Sequence, residues 1–310
     1  MKLLAVATSY YSDAYLPGLV EALDAATNSS LRIVIVDNAS SGATRDLVGA
    51  LAERSTSEIL YVPLRMNPGY AAAVNEGIRR RADEDFILVT NPDVAPAPGS
   101  IDVLLAYLRR QEHVGLVGPS LADGNGQRSD HDCILPTWTG FWRDAFGLRR
   151  RSRLTDVSVV AREIPWVSGA FMLARTKAVL AVGVMDERFF MYMEDVDWCA
   201  RFWRSGWSVA LVPQARVCHW AGHAANKSAA RRVVQVRLAK VIFVSKWHGR
   251  RSELLWISTI LLECALKVAL LTLRNPADPR VAGYRWLFRR RRDLWAGRTT
   301  SLQLRAAELL

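Results

Sequence analysis

Residues 32–42 read Arg32-Ile33-Val34-Ile35-Val36-Asp37-Asn38-Ala39-Ser40-Ser41-Gly42. A β-branched apolar run stops at a carboxylate and a polar turn. That is the pattern of a buried strand which carries an acid to one edge of a sheet. On either side the pattern repeats. Residues 3–7 read as a buried strand and 16–26 as a helix; 43–54 read as a helix and 59–62 as a short strand. Asn67-Pro68-Gly69 is a turn, 71–81 a small-residue helix, and 86–89 a strand that ends in Asn91-Pro92-Asp93. Strands alternating with helices of about ten residues predict βαβ units and a largely parallel sheet. In such sheets ligands bind beyond the carboxyl ends of the strands. Thr8, Ser9, Asp37, Asn67, Asn91 and Asp93 all fall at those ends.

The remaining two-thirds is less regular. Residues 101–110 read as a helix and 114–117 as a strand. Residues 123–160, with an arginine cluster at 149–153, read as a mobile loop. Residues 164–174 read as a strand containing Trp166 and Gly169. The run Phe189-Phe190-Met191-Tyr192-Met193-Glu194-Asp195-Val196-Asp197-Trp198 opens a helix that continues through Arg204. Residues 208–212 read as a strand, and His219 follows the next short one. Residues 228–248 read as a basic helix. Residues 253–273 are apolar, with Glu253, Glu263, Lys267 and Arg274 on one narrow helical face and Glu263–Lys267 spaced as an i,i+4 pair. A charged stripe makes a poor membrane span and suits a packed or interfacial helix.

Composition narrows the function. The chain has 310 residues, is half apolar and contains eleven Trp, which excludes a mainly disordered chain. Its formal charge is +11, but unevenly placed: residues 1–100 sum to −4, 101–225 to +2 and 226–310 to +13. A nucleic-acid enzyme would spread basic groups around its cleft, and no helix-turn-helix, RNA-recognition or zinc pattern is present. Nucleic acid is therefore not the expected partner. Cys133, Cys199, Cys218 and Cys264 form no CxxC pair and read as reduced thiols of a cytosolic protein. The apolar run at the N-terminus is too short for a signal peptide and reads as the first strand.

Several side chains suit chemistry. Asp93, on a turn stiffened by Pro92, has the place and oxygen donors of a divalent-cation ligand. Of the carboxylates Glu194, Asp195 and Asp197, helix capping and dipole compensation account for one. A second, beside the apolar run, suits a general base. His219, after a strand in a carboxylate-bearing fold, suits a metal ligand, although a lone histidine is more often structural.

These pieces, in this order, resemble the family 2 glycosyltransferases of GT-A fold. The matching stretches are Val36–Ser40, Asn67–Ala71 with Asn75, Asn91–Asp93, Trp166–Ala170, Phe189–Asp197, Gly206-Trp207 and Val217–His219. The long Phe189–Asp197 block most resembles the rhamnosyltransferase branch. The resemblance implies an α/β GT-A catalytic domain over 1–225, Rossmann-like, with a mostly parallel mixed sheet flanked by helices. Its 1–100 half would bind the nucleotide sugar and its 101–225 half the acceptor. Residues 226–310 lie outside the resemblance; their own composition predicts a helical, basic segment that associates with a membrane or packs as an interface.

Carried over residue by residue, Thr8, Ser9 and Asp37 hold the nucleobase and ribose, and Asn67, Gly69 and Asn75 line the nucleotide-sugar pocket. Asn91 replaces the first Asp of the family's Asp-x-Asp, and Asp93 stands for its last, binding Mg²⁺ or Mn²⁺ together with His219. Asp195 matches the catalytic base, with Glu194 as second choice, and Trp166 and Gly169 face the acceptor. The implied activity is inverting, metal-dependent transfer of L-rhamnose from a dTDP donor to a lipid-linked or polysaccharide acceptor in cell-envelope glycan synthesis. Galactofuranosyl or other hexosyl transfer from a dTDP- or UDP-linked donor, or a non-catalytic nucleotide-sugar-binding module, are the alternatives. The expected location is the cytoplasm, peripheral on the inner face of the cell membrane. The tail is expected either to meet an anionic membrane surface or to form a homodimer interface.

Overall fold

The computed structural model describes residues 1–39, 42–126, 160–220 and 229–306. Ser40, Cys133, His223, the arginines at 149–153 and most of the expected mobile loop lie outside the described residues. The chain divides into two compact units. The first holds Met1–Leu135, Ser152–Asp186 and Asp195–Ala221, and the described part of the second is Glu187–Glu194 with residues 229–306.

Among the described residues the first unit is built on nine strands: β1 Lys2–Ser9, β2 Ser30–Asp37, β3 Glu58–Pro63, β4 Phe86–Thr90, β5 Val94–Pro96, β6 Val114–Ala122, β7 Arg162–Glu163, β8 Phe171–Arg175 and β9 Ser208–His219. They form one sheet in the order β3-β2-β1-β4-β8-β6-β9-β5, with β7 also on β9. The first four are parallel, as the alternating pattern predicts. β8 runs antiparallel to both β4 and β6, and this makes the sheet mixed. Helices α1 Leu16–Ala25, α2 Ala43–Arg54, α3 Tyr70–Arg79, α4 Ser100–Arg110, α5 Thr176–Val182 and α6 Glu194–Arg204 flank it.

The period-two pleat explains why both faces are covered. Leu3, Ala5 and Ala7 of β1 enter one core with Leu19, Leu23, Val48 and Leu104 from α1, α2 and α4. Leu4 and Val6 enter the other with Val74, Val179, Trp198 and Phe202 from α3, α5 and α6. The small residues of α3 let it approach closely: a Cβ on Gly77 would lie 2.2 Å from Val6 Cγ1.

Three features of the fold differ from the pattern in the sequence. Residues 164–174 are not one strand. Only Phe171–Arg175 pair, because Gly169 and Ala170 turn the chain across the sheet edge. The strand after Gly206 does not break after Val212 but continues to His219, absorbing a register shift against β6. The short strands β5 and β7 and helix α5 carry too few residues to show a period.

The second unit is helical: α7 Ala229–Arg274, α8 Arg280–Arg289, α9 Arg291–Trp295 and α10 Thr299–Ala306. α7 is broken at Gly249, whose φ of 77° is left-handed and suits only glycine well. The chain doubles back there. Ser245 donates to Glu253 at 2.8 Å and Arg237 to Glu263 at 3.1 Å, pairs that a straight helix would hold far apart. Residues 229–248 and 250–274 are thus the two arms of a helical hairpin, close to the two helices read from the sequence. The two glutamates of the charged face are turned inward, while Arg274 at its far end is exposed. Glu253 and Glu263 are buried, and Glu263 pairs across the hairpin with Arg237 rather than serving as an exposed i,i+4 partner of Lys267. Arg237 also reaches Tyr284 Oη at 3.0 Å and stacks on its ring. Among the described residues Cys199, Cys218 and Cys264 are free thiols, and burial pushes the Cys264 pKa up to about 12.

Candidate active site

Because β1, β2, β3 and β4 are parallel, their carboxyl ends share one edge of the sheet. β1 ends at Thr8 and Ser9, and β2 ends at Asp37, beside Ser9 in register. All three side chains are buried. Tyr61 of β3 donates its phenol to Asp37 Oδ2 at 2.6 Å, and Arg45 of α2 lies over the Tyr61 ring. Burial, then the Asp37 carboxylate, pushes the Tyr61 pKa up, so the phenol remains a donor across the physiological range. Asn38 N–H donates to Ser9 O at 2.7 Å, which locks the two strand ends together. Ser9 Oγ and Asn38 Oδ1 are fully buried and have no hydrogen-bond partner among the described residues. A donor-acceptor hydroxyl and an amide acceptor left unmatched side by side fit a polar ligand at this end of the sheet.

Asn67 does not aim its carbonyl outward. Its Oδ1 accepts the Gly69 N–H at 2.9 Å, forming the turn that starts α3. Gly69 has φ 104°, which that turn requires. Asn75 departs furthest from the expected role of pocket lining. It is wholly buried, donates Nδ2 to Met185 O at 2.8 Å and accepts Met185 N–H on Oδ1 at 2.9 Å. Its amide therefore clamps the chain segment after α5. The cause is its position on the inner face of α3 beside Val74 and Ile78.

The turn after β4 brings the other residues together. Asn91 N–H donates to Ala170 O at 2.9 Å, and Val94 of β5 pairs with His219 of β9. That pairing sets Asp93 Oδ1 3.4 Å from His219 Nε2, both side chains mostly but not fully buried. Asp93 O also accepts the Trp220 N–H at 3.0 Å. One carboxylate and one imidazole, with access to solvent, suit a divalent cation that takes its other ligands from phosphate and water. Among the described residues no cluster of three or more such ligands exists, so a cation here would depend on the substrate for the rest.

Gly169, next to Ala170, donates its N–H to Asp195 Oδ2 at 2.9 Å, while Asp195 Oδ1 accepts from Val196 N–H at 2.8 Å. Tyr70 Oη fixes the Gly169 carbonyl at 2.8 Å. A Cβ on Gly169 would meet Asp195 Cβ at 3.3 Å, a tight approach that would press on the carboxylate. Asp195 is partly exposed, whereas Asp197 is buried and bound to Arg201 Nε at 3.0 Å. Arg201 in turn holds the carbonyls of Val182 and Val184. This sorts the three carboxylates: Asp197 is structural, Glu194 is buried, and Asp195 is the one bound to the edge loop. Trp166 is half-buried against the second core. The backbone just before Glu194 is strained, with Tyr192 at φ 71° and Met193 at φ 68°.

Sequence reasoning did not single out Tyr61, Tyr70 or Asn38. The signals were faint: an aromatic in a four-residue apolar run, an aromatic just after Gly69, and an amide just after Asp37.

Residues 2–237 match the family described as "Glycosyltransferase like family 2". The chain is 30% identical over 277 residues to the N-acetylglucosaminyl-diphospho-decaprenol L-rhamnosyltransferase of Mycobacterium tuberculosis (strain CDC 1551 / Oshkosh), covering 81% of this chain and 87% of that protein. It is 26% identical to the rhamnosyltransferase WbbL of Escherichia coli (strain K12), over 70% of this chain and 83% of that one. Among solved structures, the fold is similar to the mannosyltransferase PcManGT of Pyrobaculum calidifontis in complex with GDP-Man and Mn²⁺. The TM-score is 0.56 at 15% identity, covering 97% of this chain and 86% of that chain. It is also similar to S. aureus TarS 1-349 in complex with UDP-GlcNAc, with TM-score 0.53 at 14% identity, covering 94% and 92%. The chain belongs to the family 2 glycosyltransferases, in their rhamnosyltransferase-like branch, and has the GT-A fold.

Proposed function

We propose that this hexosyltransferase moves L-rhamnose from a dTDP donor to a lipid-linked acceptor with inversion, using Asp195 as the base. The observation that carries the reading is the link from Asp93 to Asp195. The turn bearing Asp93 is bonded to Ala170, and the adjacent Gly169 N–H holds the Asp195 carboxylate. A phosphate-side acid and a carboxylate for the acceptor are thereby fixed to one loop.

The roles follow from chemistry. Ser9, Asn38 and Asp37, with Tyr61 supporting it, meet the nucleobase and ribose; Thr8 lies beside them. Asp93 and His219 would hold Mg²⁺ or Mn²⁺. When bound, the cation stabilises the negative charge that builds on the leaving diphosphate. The acceptor hydroxyl attacks the anomeric carbon as the bond to the diphosphate oxygen breaks. Its proton passes to Asp195, which must lie within about 3 Å of that hydroxyl. A single displacement inverts the anomeric centre and needs no second nucleophilic carboxylate. The L-rhamnosyl donor and lipid-linked acceptor rest on the mycobacterial relative. That relative and the basic tail together support a peripheral place on the inner face of the membrane.

The test is turnover of dTDP-L-rhamnose with an N-acetylglucosaminyl-diphospho-polyprenol, in parallel with UDP-galactofuranose and UDP-N-acetylglucosamine. Preference for dTDP-L-rhamnose supports the reading. Preference for another donor replaces the sugar assignment while leaving the base and metal roles open to the variants below.

A further inference from the structure

The second arm of the α7 hairpin has its polarity reversed. Its carboxylates face inward: Glu253 is 4% exposed and Glu263 is 7% exposed, each held by an arginine. Its leucines face outward. Leu255, Leu262, Leu266, Leu270 and Leu273 are 58%, 51%, 53%, 43% and 85% exposed. At 100° per residue these five lie within an arc of roughly 80°, on a line about 27 Å long. Ala265 and Ala269 widen the stripe, and both are exposed. Isolated surface leucines need no explanation, but a five-turn stripe of them does.

We infer that this leucine face docks on an anionic lipid surface, with the helix lying in the plane of the interface. The charge around the stripe identifies the occupant. Arg251, one turn before Leu255, and Arg274, directly after Leu273, are exposed and bracket the stripe with cations. The four acidic residues described after residue 229 are all ion-paired, so none opposes an anionic surface. The exposed arginines of α8 and α9 add to the positive field, and Phe288 and Trp295, both 42% exposed, supply interfacial aromatics. An apolar stripe between basic ends matches acyl chains beneath acidic headgroups. By length and composition α7 could cross a membrane. The inward ion pairs on its other face, within the hairpin, instead favour lying on the surface.

The inference rests on the membrane placement proposed above and names the surface responsible. The test is co-sedimentation of the full chain with phosphatidylglycerol–phosphatidylcholine vesicles and with pure phosphatidylcholine. The wild type should bind the anionic vesicles and release partly in salt. L262E/L266E should lower the bound fraction about tenfold or more, and the milder L262S/L266S should lower it less. Thermal melting checks that both variants fold; both sites are exposed, so melting should be unchanged. Turnover on a detergent-dispersed acceptor should also be unchanged. If the wild type ignores vesicles, the membrane placement itself fails. If it binds and both leucine variants bind equally, the placement stands and the leucine face is wrong. If the wild type is dimeric by light scattering and L262E/L266E is monomeric, a second copy covers the face and the inference is overturned.

Discussion

The two units place their charges in opposite ways. In the first, apolar side chains fill both faces of the sheet, and the acids Asp37, Asp93 and Asp195 gather at one edge. In the second, acids are drawn into the helical packing and leucines look outward. An acid is costly to bury unless it is paired, and both units obey that rule. They differ in what each acid is left to do. Glu263 is committed to Arg237, which also reaches Tyr284 Oη. Asp195 accepts the backbone N–H groups of Gly169 and Val196, which orient its carboxylate beside the edge loop. The sharpest way to break this contrast is Asp195→Asn. The amide is close in shape but cannot take a proton, so kcat should fall about 10⁴-fold. Calorimetry should find donor binding nearly unchanged. Turnover within tenfold of wild type would remove Asp195 from the mechanism.

The same contrast predicts a different readout for the second unit. Glu263→Ala leaves the Arg237 guanidinium buried without its carboxylate, and this should cost about 3 kcal/mol of stability. Asp278→Ala removes a half-buried carboxylate that pairs with the exposed Arg280 and accepts its backbone N–H, and should cost only a fraction of that. Replacing Arg237 and Glu263 together by Met and Leu should recover most of the loss, because a well-packed apolar pair of similar volume substitutes for a buried ion pair. Chemical denaturation of the three variants checks the order. Equal losses for Glu263→Ala and Asp278→Ala would mean that the inward pair contributes little.

How far each unit was legible in sequence follows from the same difference. The parallel strands were readable because RIVIV and its neighbours are buried on both faces and end in turn residues. The acids at the edge were readable for the same reason: polar residues directly after such runs have nowhere else to go. Asn75 misled because a pocket residue and a buried amide clamp look alike until Met185 is placed opposite it. The charged stripe at 253–274 was readable as a stripe, but not its direction. Periodicity fixes which residues share a face, while the partner element decides which face turns inward. Arg237 and Tyr284 settled that, and neither is near Glu263 in sequence.

A smaller effect tests the phosphate side of the first unit. His219→Ala should raise the Mn²⁺ concentration needed for half-maximal turnover about thirtyfold, with saturating metal restoring most of the rate. Asp93→Asn should shift it the same way. Titration of each variant with Mn²⁺ and Mg²⁺ is the measurement. Full activity in EDTA would remove the cation role from both residues and leave the 3.4 Å contact as a structural pair.

The smallest effect concerns the nucleotide end. Tyr61→Phe removes only the phenol that donates to Asp37 Oδ2. One hydrogen bond of this kind contributes about 1 kcal/mol. The KM for the donor should therefore rise about fivefold while kcat stays near wild type. That split is informative because the two ends of the edge predict opposite ones. On the proposed reading, a residue that orients Asp37 acts on ground-state binding of the nucleotide, whereas Asp195 acts only once the acceptor proton is in motion. If Tyr61→Phe lowered kcat and left KM alone, the nucleotide would not sit on Asp37. The division of labour along the sheet edge would then have to be redrawn.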